Sequence, residues 1–140
     1  MFEIGIINGK VYLDGIFIHS NIYIKSGKIV DISTNYQKCK QEIDATGKVV
    51  LPGFIEPHVH FELNLGKYTS IDNFKSGSIS ALYGGVTTII DFLDPINSLL
   101  ELEDAFKRRL NLAKNSNVDF SFHVTLGNFN GNLDALFKKA

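Results

Sequence analysis

The change of rhythm at Pro52-Gly53 limits the fold more than any other feature of this sequence. Before it, apolar residues come in short runs separated by tight-turn signals. Ile4 to Ile7, Val11 to Leu13, Ile16 to Ile18, Ile22 to Ile24 and the group Ile29, Val30 and Ile32 all read as strands. Asp14-Gly15 and Ser26-Gly27 supply the turns, since such residues tolerate positive φ. Closely spaced strands of this kind predict a small antiparallel sheet layer. Asn35 to Gln41 is polar and predicts a loop, and Asp44-Ala45-Thr46-Gly47 predicts a turn into Val49, Val50 and Leu51.

After Pro52-Gly53 the period lengthens. Phe54 to Phe61 reads as a strand, and Ser70 as the N-cap of a helix over Ile71 to Tyr83 that Gly84-Gly85 ends. Val86 to Phe92 is apolar and β-branched, as expected of a strand buried on both faces. Ser98 caps a second helix whose apolar face carries Leu99, Leu102, Phe106, Leu110 and Ala113. Asn115-Ser116-Asn117 ends it, Val118 to Leu126 forms a third strand, and a helix begins at Leu133 and runs to Ala140. This β-α-β-α-β-α order implies a parallel sheet with crossover helices. It is too short for a closed (β/α)8 barrel, which takes roughly 250 residues. An open three-stranded parallel sheet leaves strand edges uncovered, which favours association of the isolated chain.

Composition excludes several classes. A formal net charge of -1, with 14 basic and 15 acidic residues interspersed, gives no electrostatic case for nucleic acid or an anionic membrane as partner. Cys39 is the single cysteine, so no intrachain disulfide forms and a reducing, cytoplasmic setting is expected. The first residues lack a basic region followed by an apolar run, so no signal peptide is expected.

The chemistry concentrates at His58-Val59-His60, at the end of the first strand of the alternating segment. Residues two apart on a strand face the same way, so two imidazoles can converge on one metal ion. The C-terminal ends of such strands are where α/β barrels place their reactions. His-x-His alone also fits a solvated strand end. The apolar strand before it and the βα array behind it favour metal ligation, with zinc the usual partner of imidazole.

The run Val50 to Phe61 resembles the first barrel strand of the cyclic amidohydrolases. The similarity continues through Asp72-Asn73-Phe74, Gly77, Ala81, Gly84 to Thr88, Ile90-Asp91-Phe92, Ser98-Leu99-Leu100, Phe106 and Asp119 to Val124, in one register. The implied fold is α/β: an N-terminal β-sandwich portion at residues 1–52, followed at residues 53–140 by the first three βα units of an incomplete TIM-like (β/α)8 barrel. The resemblance implies that His58 and His60 bind one ion of a zinc pair. A bridging carboxylated lysine, two further histidines and an aspartate base are expected on later strands, beyond residue 140, so no catalytic residue is expected within this chain. Lys138 and Lys139 fall in an expected helix and are not assigned as that lysine. The implied reaction is metal-assisted hydrolysis of a small cyclic amide or ureide, with a homo-oligomer as the complete assembly.

Within the family, dihydroorotases carry an arginine soon after His-x-His and an asparagine after the second strand, which grip a substrate carboxylate. Here Phe61-Glu62 and Leu93-Asp94 stand at those places, and acidic residues repel a carboxylate. Ile90-Asp91-Phe92 and Ser98-Leu99-Leu100 look more like hydantoinases and dihydropyrimidinases. Allantoinase and dihydroorotase activities remain alternatives, as do a non-catalytic dihydropyrimidinase-like interaction protein and a split-gene remnant. Glu56 departs from the family's aspartate and, with Asp91, is a candidate for tuning the metal ligands from behind.

The remaining polar residues have plainer readings. His123 is expected to be a satisfied interior histidine, and His19 to be structural. Glu62, Asn64 and Tyr68 lie in a loop that either contacts substrate or is merely solvated. Lys107-Arg108-Arg109 is expected to be the solvated face of a helix, and two lysines beside Cys39 are expected to favour its thiolate.

Overall fold

A computed structural model describes residues 1–139, which fall into two compact units divided after Pro52. In the first, β1 (Phe2–Leu13), β2 (Ile16–Lys25) and β3 (Lys28–Ser33) form an antiparallel meander. Both connections are two-residue turns with positive φ throughout: 49° and 87° at Asp14 and Gly15, 52° and 71° at Ser26 and Gly27. That backbone matches the right-handed twist of the flanking strands, which fixes the register.

The sheet is not wholly antiparallel. β4 (Cys39–Asp44) and β5 (Val49–Val50) lie end to end along the far edge of β1, parallel to it. The chain crosses from β3 to the other side of β1, and the Tyr23 hydroxyl holds the crossing. It donates to Asn35 O at 2.9 Å and accepts from Gln37 N at 2.8 Å. Cys39 to Gln41, expected as loop, is therefore strand. An edge strand needs only backbone partners, so its polar side chains stay in solvent. β1 runs unbroken through the two expected segments, with a register shift between Ile6 and Gly9 where Asn8 adopts φ 62°. Asn8 N donates to Asn21 Oδ1 at 2.8 Å and its amide to Asp44 Oδ1 at 3.1 Å. The Asn21 side-chain oxygen thus takes the bulged residue's backbone N–H in place of a ladder bond.

The second unit runs β6 (Phe54–Glu56), α1 (Phe74–Tyr83), β7 (Val86–Phe92), α2 (Leu99–Ala113), β8 (Asp119–His123) and α3 (Leu133–Lys139). The three strands form a parallel sheet in the order β6-β7-β8, as the alternation predicts. Helix α1 starts later than expected. Asn73, not Ser70, is its N-cap, accepting from Ser76 N at 2.9 Å while Ser76 Oγ accepts from Asn73 N at 3.1 Å. This reciprocal box satisfies two donors at once, and Ser70 is left to a different task described below. Gly85, at φ 80°, ends the helix as expected.

The core lies on one side of the sheet. Phe74 from α1, Ile89 from β7, Ala113 from α2 and Val118 form one buried cluster, with Ala81 and Phe120 packed against it. Burying side chains the size of Phe74 and Ile89 is worth roughly 1.5–3 kcal/mol each. Leu93, Ile96, Leu102, Ala105 and Leu136 form a second cluster. Buried Ser78 ties α1 to the segment before β8 by accepting from Asn117 N at 2.9 Å.

β7 is not buried on both faces. Ile89 and Asp91 point towards the helices and are fully buried, while Thr88, Ile90 and Phe92 on the opposite face are only half-buried. Ser121 and His123 of β8 share that open face and are exposed. Two strands are also shorter than expected. β6 stops at Glu56, because Pro57 has no N–H for the ladder. β8 stops at His123, beyond which the chain follows the β7–α2 connection through an Ile96–Leu126 bridge. No helix among the described residues is long and apolar enough to cross a membrane.

Candidate metal centre

His58 and His60 lie just past the C-terminal end of β6, in a short extended segment rather than in the strand itself. The alternation of side chains survives the end of the ladder because one bond continues it: Val59 N donates to Ile90 O at 3.2 Å. Val59 is turned inward and packs against the buried Phe74–Ile89 cluster, and the two exposed imidazoles turn the other way. Their Nε2 atoms are 3.1 Å apart, with the rings edge to face at 4.9 Å between centroids.

That spacing suits one shared ion. Two imidazole nitrogens at a zinc–nitrogen distance of about 2.05 Å, set at a tetrahedral angle, are about 3.3 Å apart. Phe92 at the end of β7 floors the pair, its ring centroid 4.6 Å from each imidazole. Among the described residues no group of three or more His, Cys, Asp and Glu is placed to hold a metal. His58 and His60 are thus a pair of imidazoles, not a complete set of four donors such as a structural zinc site uses.

The segment carrying the histidines is tied down residue by residue. Glu56 Oε1 accepts from His58 N at 3.2 Å, so Glu56 acts on the backbone of its neighbour. Ser70 Oγ donates to His60 O at 3.0 Å and accepts from Leu63 N at 2.8 Å. Instead of capping a helix, Ser70 closes the loop between β6 and α1. That loop is a small hairpin bridged at Asn64 and Thr69. Glu62 sits at its base with φ 50°, and Asn64 and Tyr68 are exposed in it.

Asp91 does not reach either imidazole. It is fully buried, accepts from Phe61 N at 3.3 Å and Phe92 N at 2.6 Å, and pairs with Arg109 Nη2 at 2.8 and 2.9 Å. Arg109 is thus not on a solvated face: its side chain is 5% exposed. It also donates to Phe61 O and lies over the Phe74 ring, 5.1 Å from the centroid. The reading of Lys107-Arg108-Arg109 holds for the first two only, Lys107 pairing with Glu103 and Arg108 with Asp94, both largely in solvent. A sequence signal for Arg109 existed. It falls four residues after Ala105 and four before Ala113, both fully buried, so it sits on the apolar stripe of α2.

His123 is exposed rather than interior. Its Nε2 lies 2.9 Å from Pro57 O, and its ring centroid is 4.8 Å from that of Phe92. Phe92 therefore touches three imidazoles, two from the end of β6 and one from β8. His19 is exposed on β2 in the first unit. Cys39 does not favour the thiolate: desolvation, then the Glu42 carboxylate, push its thiol above the ordinary range. Its Sγ donates to Gln37 O at 3.2 Å. Lys138 and Lys139 lie in α3 and not in a strand.

A parallel βα sheet with a histidine pair just past the C-terminal end of its first strand defines a scaffold of the α/β class whose two imidazole nitrogens are close enough to share one ion. No family model matches the chain. Individual relatives do. A dihydropyrimidinase from Dictyostelium discoideum is 38% identical over 123 residues, covering 85% of this chain and 24% of its own length. A D-hydantoinase from Geobacillus stearothermophilus is 37% identical over 121 residues, covering 85% and 26%. A dihydroorotase from Methanothermobacter thermautotrophicus is 34% identical over 128 residues, covering 89% and 28%. Among solved structures, one D-hydantoinase superposes with a TM-score of 0.86 at 34% identity, covering 99% of this chain and 30% of that one. The chain belongs to the cyclic amidohydrolases and corresponds to their N-terminal portion. It spans about a quarter of the length of the curated relatives it matches.

Proposed function

We propose that this chain supplies the first part of the active site of a metal-dependent hydrolase that opens a cyclic amide or ureide of the hydantoin or dihydropyrimidine class. His58 and His60 hold one zinc of a pair. The observation that carries this reading is the 3.1 Å approach of their two Nε2 atoms at the C-terminal end of the first parallel strand. A zinc ion held by His58 and His60 would supply Lewis-acid chemistry there, activating a water and polarising a scissile carbonyl. The chain's own contribution is to orient the two donors, through Glu56, Ser70 and the Val59–Ile90 bond, and to floor them with Phe92.

The bridging lysine, two further histidines and the aspartate base belong to later strands of a (β/α)8 barrel, of which residues 53–140 are the first three βα units. Residues 1–52 are one share of its β-sandwich. The relatives' names support the substrate class: dihydropyrimidinase and D-hydantoinase. Dihydroorotases also match, at 34% identity for one of them, which makes dihydroorotate the second candidate. The loop carboxylates favour the first candidate. Glu62 follows the histidine segment and opposes a substrate carboxylate, as does Asp94 after β7 more weakly, its charge being partly offset by Arg108. A reducing, cytoplasmic setting suits the free Cys39 thiol, and a homo-oligomer is the expected complete assembly.

The test is a chimera in which residues 1–140 replace the matching portion of the Geobacillus stearothermophilus D-hydantoinase. Hydrolysis of hydantoin or dihydrouracil is expected, with dihydroorotate a poor substrate and His60→Ala inactive. A folded chimera that hydrolyses dihydroorotate in preference would overturn the substrate assignment. The 140-residue chain alone is expected to hydrolyse none of the three.

A further inference from the structure

We infer that the buried Asp91–Arg109 pair is a clamp that positions the His58–Leu63 segment, and through it the two imidazoles; this rests on the metal reading above. Three observations converge on it. Both partners are almost wholly removed from solvent, at 0% and 5% side-chain exposure. Beyond the pair itself both bond Phe61, whose N–H goes to Asp91 Oδ2 and whose carbonyl accepts from Arg109, while Asp91 also accepts from the neighbouring Phe92 N. Phe61 is the residue directly after His60, and its ring is locked in turn, edge to face with Phe74 and so close to Gly77 that a β-carbon there would meet it at 2.2 Å.

The geometry explains why ions are used here. A buried ion pair is a poor source of stability, because desolvation offsets most of its attraction. It does fix direction. Arg109 comes from α2 and Asp91 from β7, so the pair ties the histidine segment to the two elements behind it, across 48 and 30 residues of chain. An apolar pair in the same space would fill it without holding either the N–H or the carbonyl of Phe61. Both part-buried groups would then lose these partners. Asp91 and Arg109 touch neither imidazole and act only through the backbone, so they are positioning residues.

The test uses residues 1–140 with Asp91→Asn and reads amide exchange in metal-free protein, then zinc affinity. Exchange at Val59, Phe61 and Leu63 is expected to accelerate at least about tenfold while Ile89 and Phe120 keep their protection. Zinc affinity is expected to fall about tenfold or more, the usual effect of disturbing groups behind a metal ligand. If the single variant unfolds, Asp91→Asn with Arg109→Gln leaves no lone charge buried and is read the same way. Uniform acceleration across the unit, or unchanged exchange at Phe61 with unchanged zinc affinity, overturns the clamp. Undiminished zinc affinity in His58→Ala/His60→Ala overturns the metal reading instead, and the metal-free exchange pattern still decides whether the clamp exists.

Discussion

The two units of this chain keep their register by different means. In residues 1–52 the meander is set locally, by two-residue turns at Asp14-Gly15 and Ser26-Gly27 that lay β1, β2 and β3 side by side, and only the parallel edge strands β4 and β5 join β1 across a long stretch of chain. In the second unit the decisive contacts are remote. Phe61 is held by Asp91 and Arg109, Ser78 reaches Asn117, and His123 reaches Pro57, 39 to 66 residues away in the last two cases. Local turn chemistry builds a sheet that needs no active geometry. Long-range polar contacts build a segment in which two imidazoles stay within 3.1 Å. Substitutions at the second kind of contact are accordingly expected to cost more.

The largest effect is expected from Arg109→Met, which strands the Asp91 carboxylate in the core. Breaking one side of a buried pair costs about 3–5 kcal/mol, and urea denaturation should register that loss. A fall under 1 kcal/mol would mean that Asp91 finds water, and that the second unit is looser than the first. Next comes Gly77→Ala. The added methyl would meet the Phe61 ring, and overpacking of this kind costs about 1–3 kcal/mol. Because that ring follows His60, weakened zinc binding is expected as well, which separates this site from an ordinary core position.

Asn73→Ala removes the capping box of α1 and should cost about 1 kcal/mol, with Asn73→Ser nearly neutral. The smallest effect is expected in the first unit, from pH. Hydrogen bonds from Thr46, then from Asn8, hold the Asp44 carboxyl below its ordinary range. Stability from this source is present above the unfolded-state value and lost as pH falls through the lower, folded-state value. Asp44→Asn should therefore flatten the acid limb of the unfolding midpoint slightly. An unaltered acid limb would show that the bulge at Asn8 does not depend on that carboxylate.

Legibility followed the same divide. Turn residues and the shift of rhythm at Pro52 could be read because they depend on neighbours in sequence, whereas the face of α2 was read only in part: Leu102 and Ala113 are buried as expected, but so are Ala105 and Arg109, and Phe106 is exposed. The end of β6 was missed although Pro57 marks it: that residue has no N–H for the ladder, and the pairing with β7 stops at Glu56. The sequence reading puts the cap at Ser70 alone, and Asn73 takes it because Ser76 lies three residues on to complete the box. Arg109 was hidden by its company in Lys107-Arg108-Arg109, although its place on the α2 stripe marks it. His-x-His was visible as a motif, but nothing in the sequence told that Phe92 would floor it or that His123 would be drawn to the Pro57 carbonyl.

The central claim is that His58 and His60 act as one bidentate donor pair. Cobalt(II) titration of the chain, followed by absorbance, tests it most directly, with His58→Ala and His60→Ala as single variants. If the pair shares an ion, each single variant should lose most of the affinity and the double variant should lose little more. Independent, additive losses from the two substitutions, or binding that survives both, would contradict it.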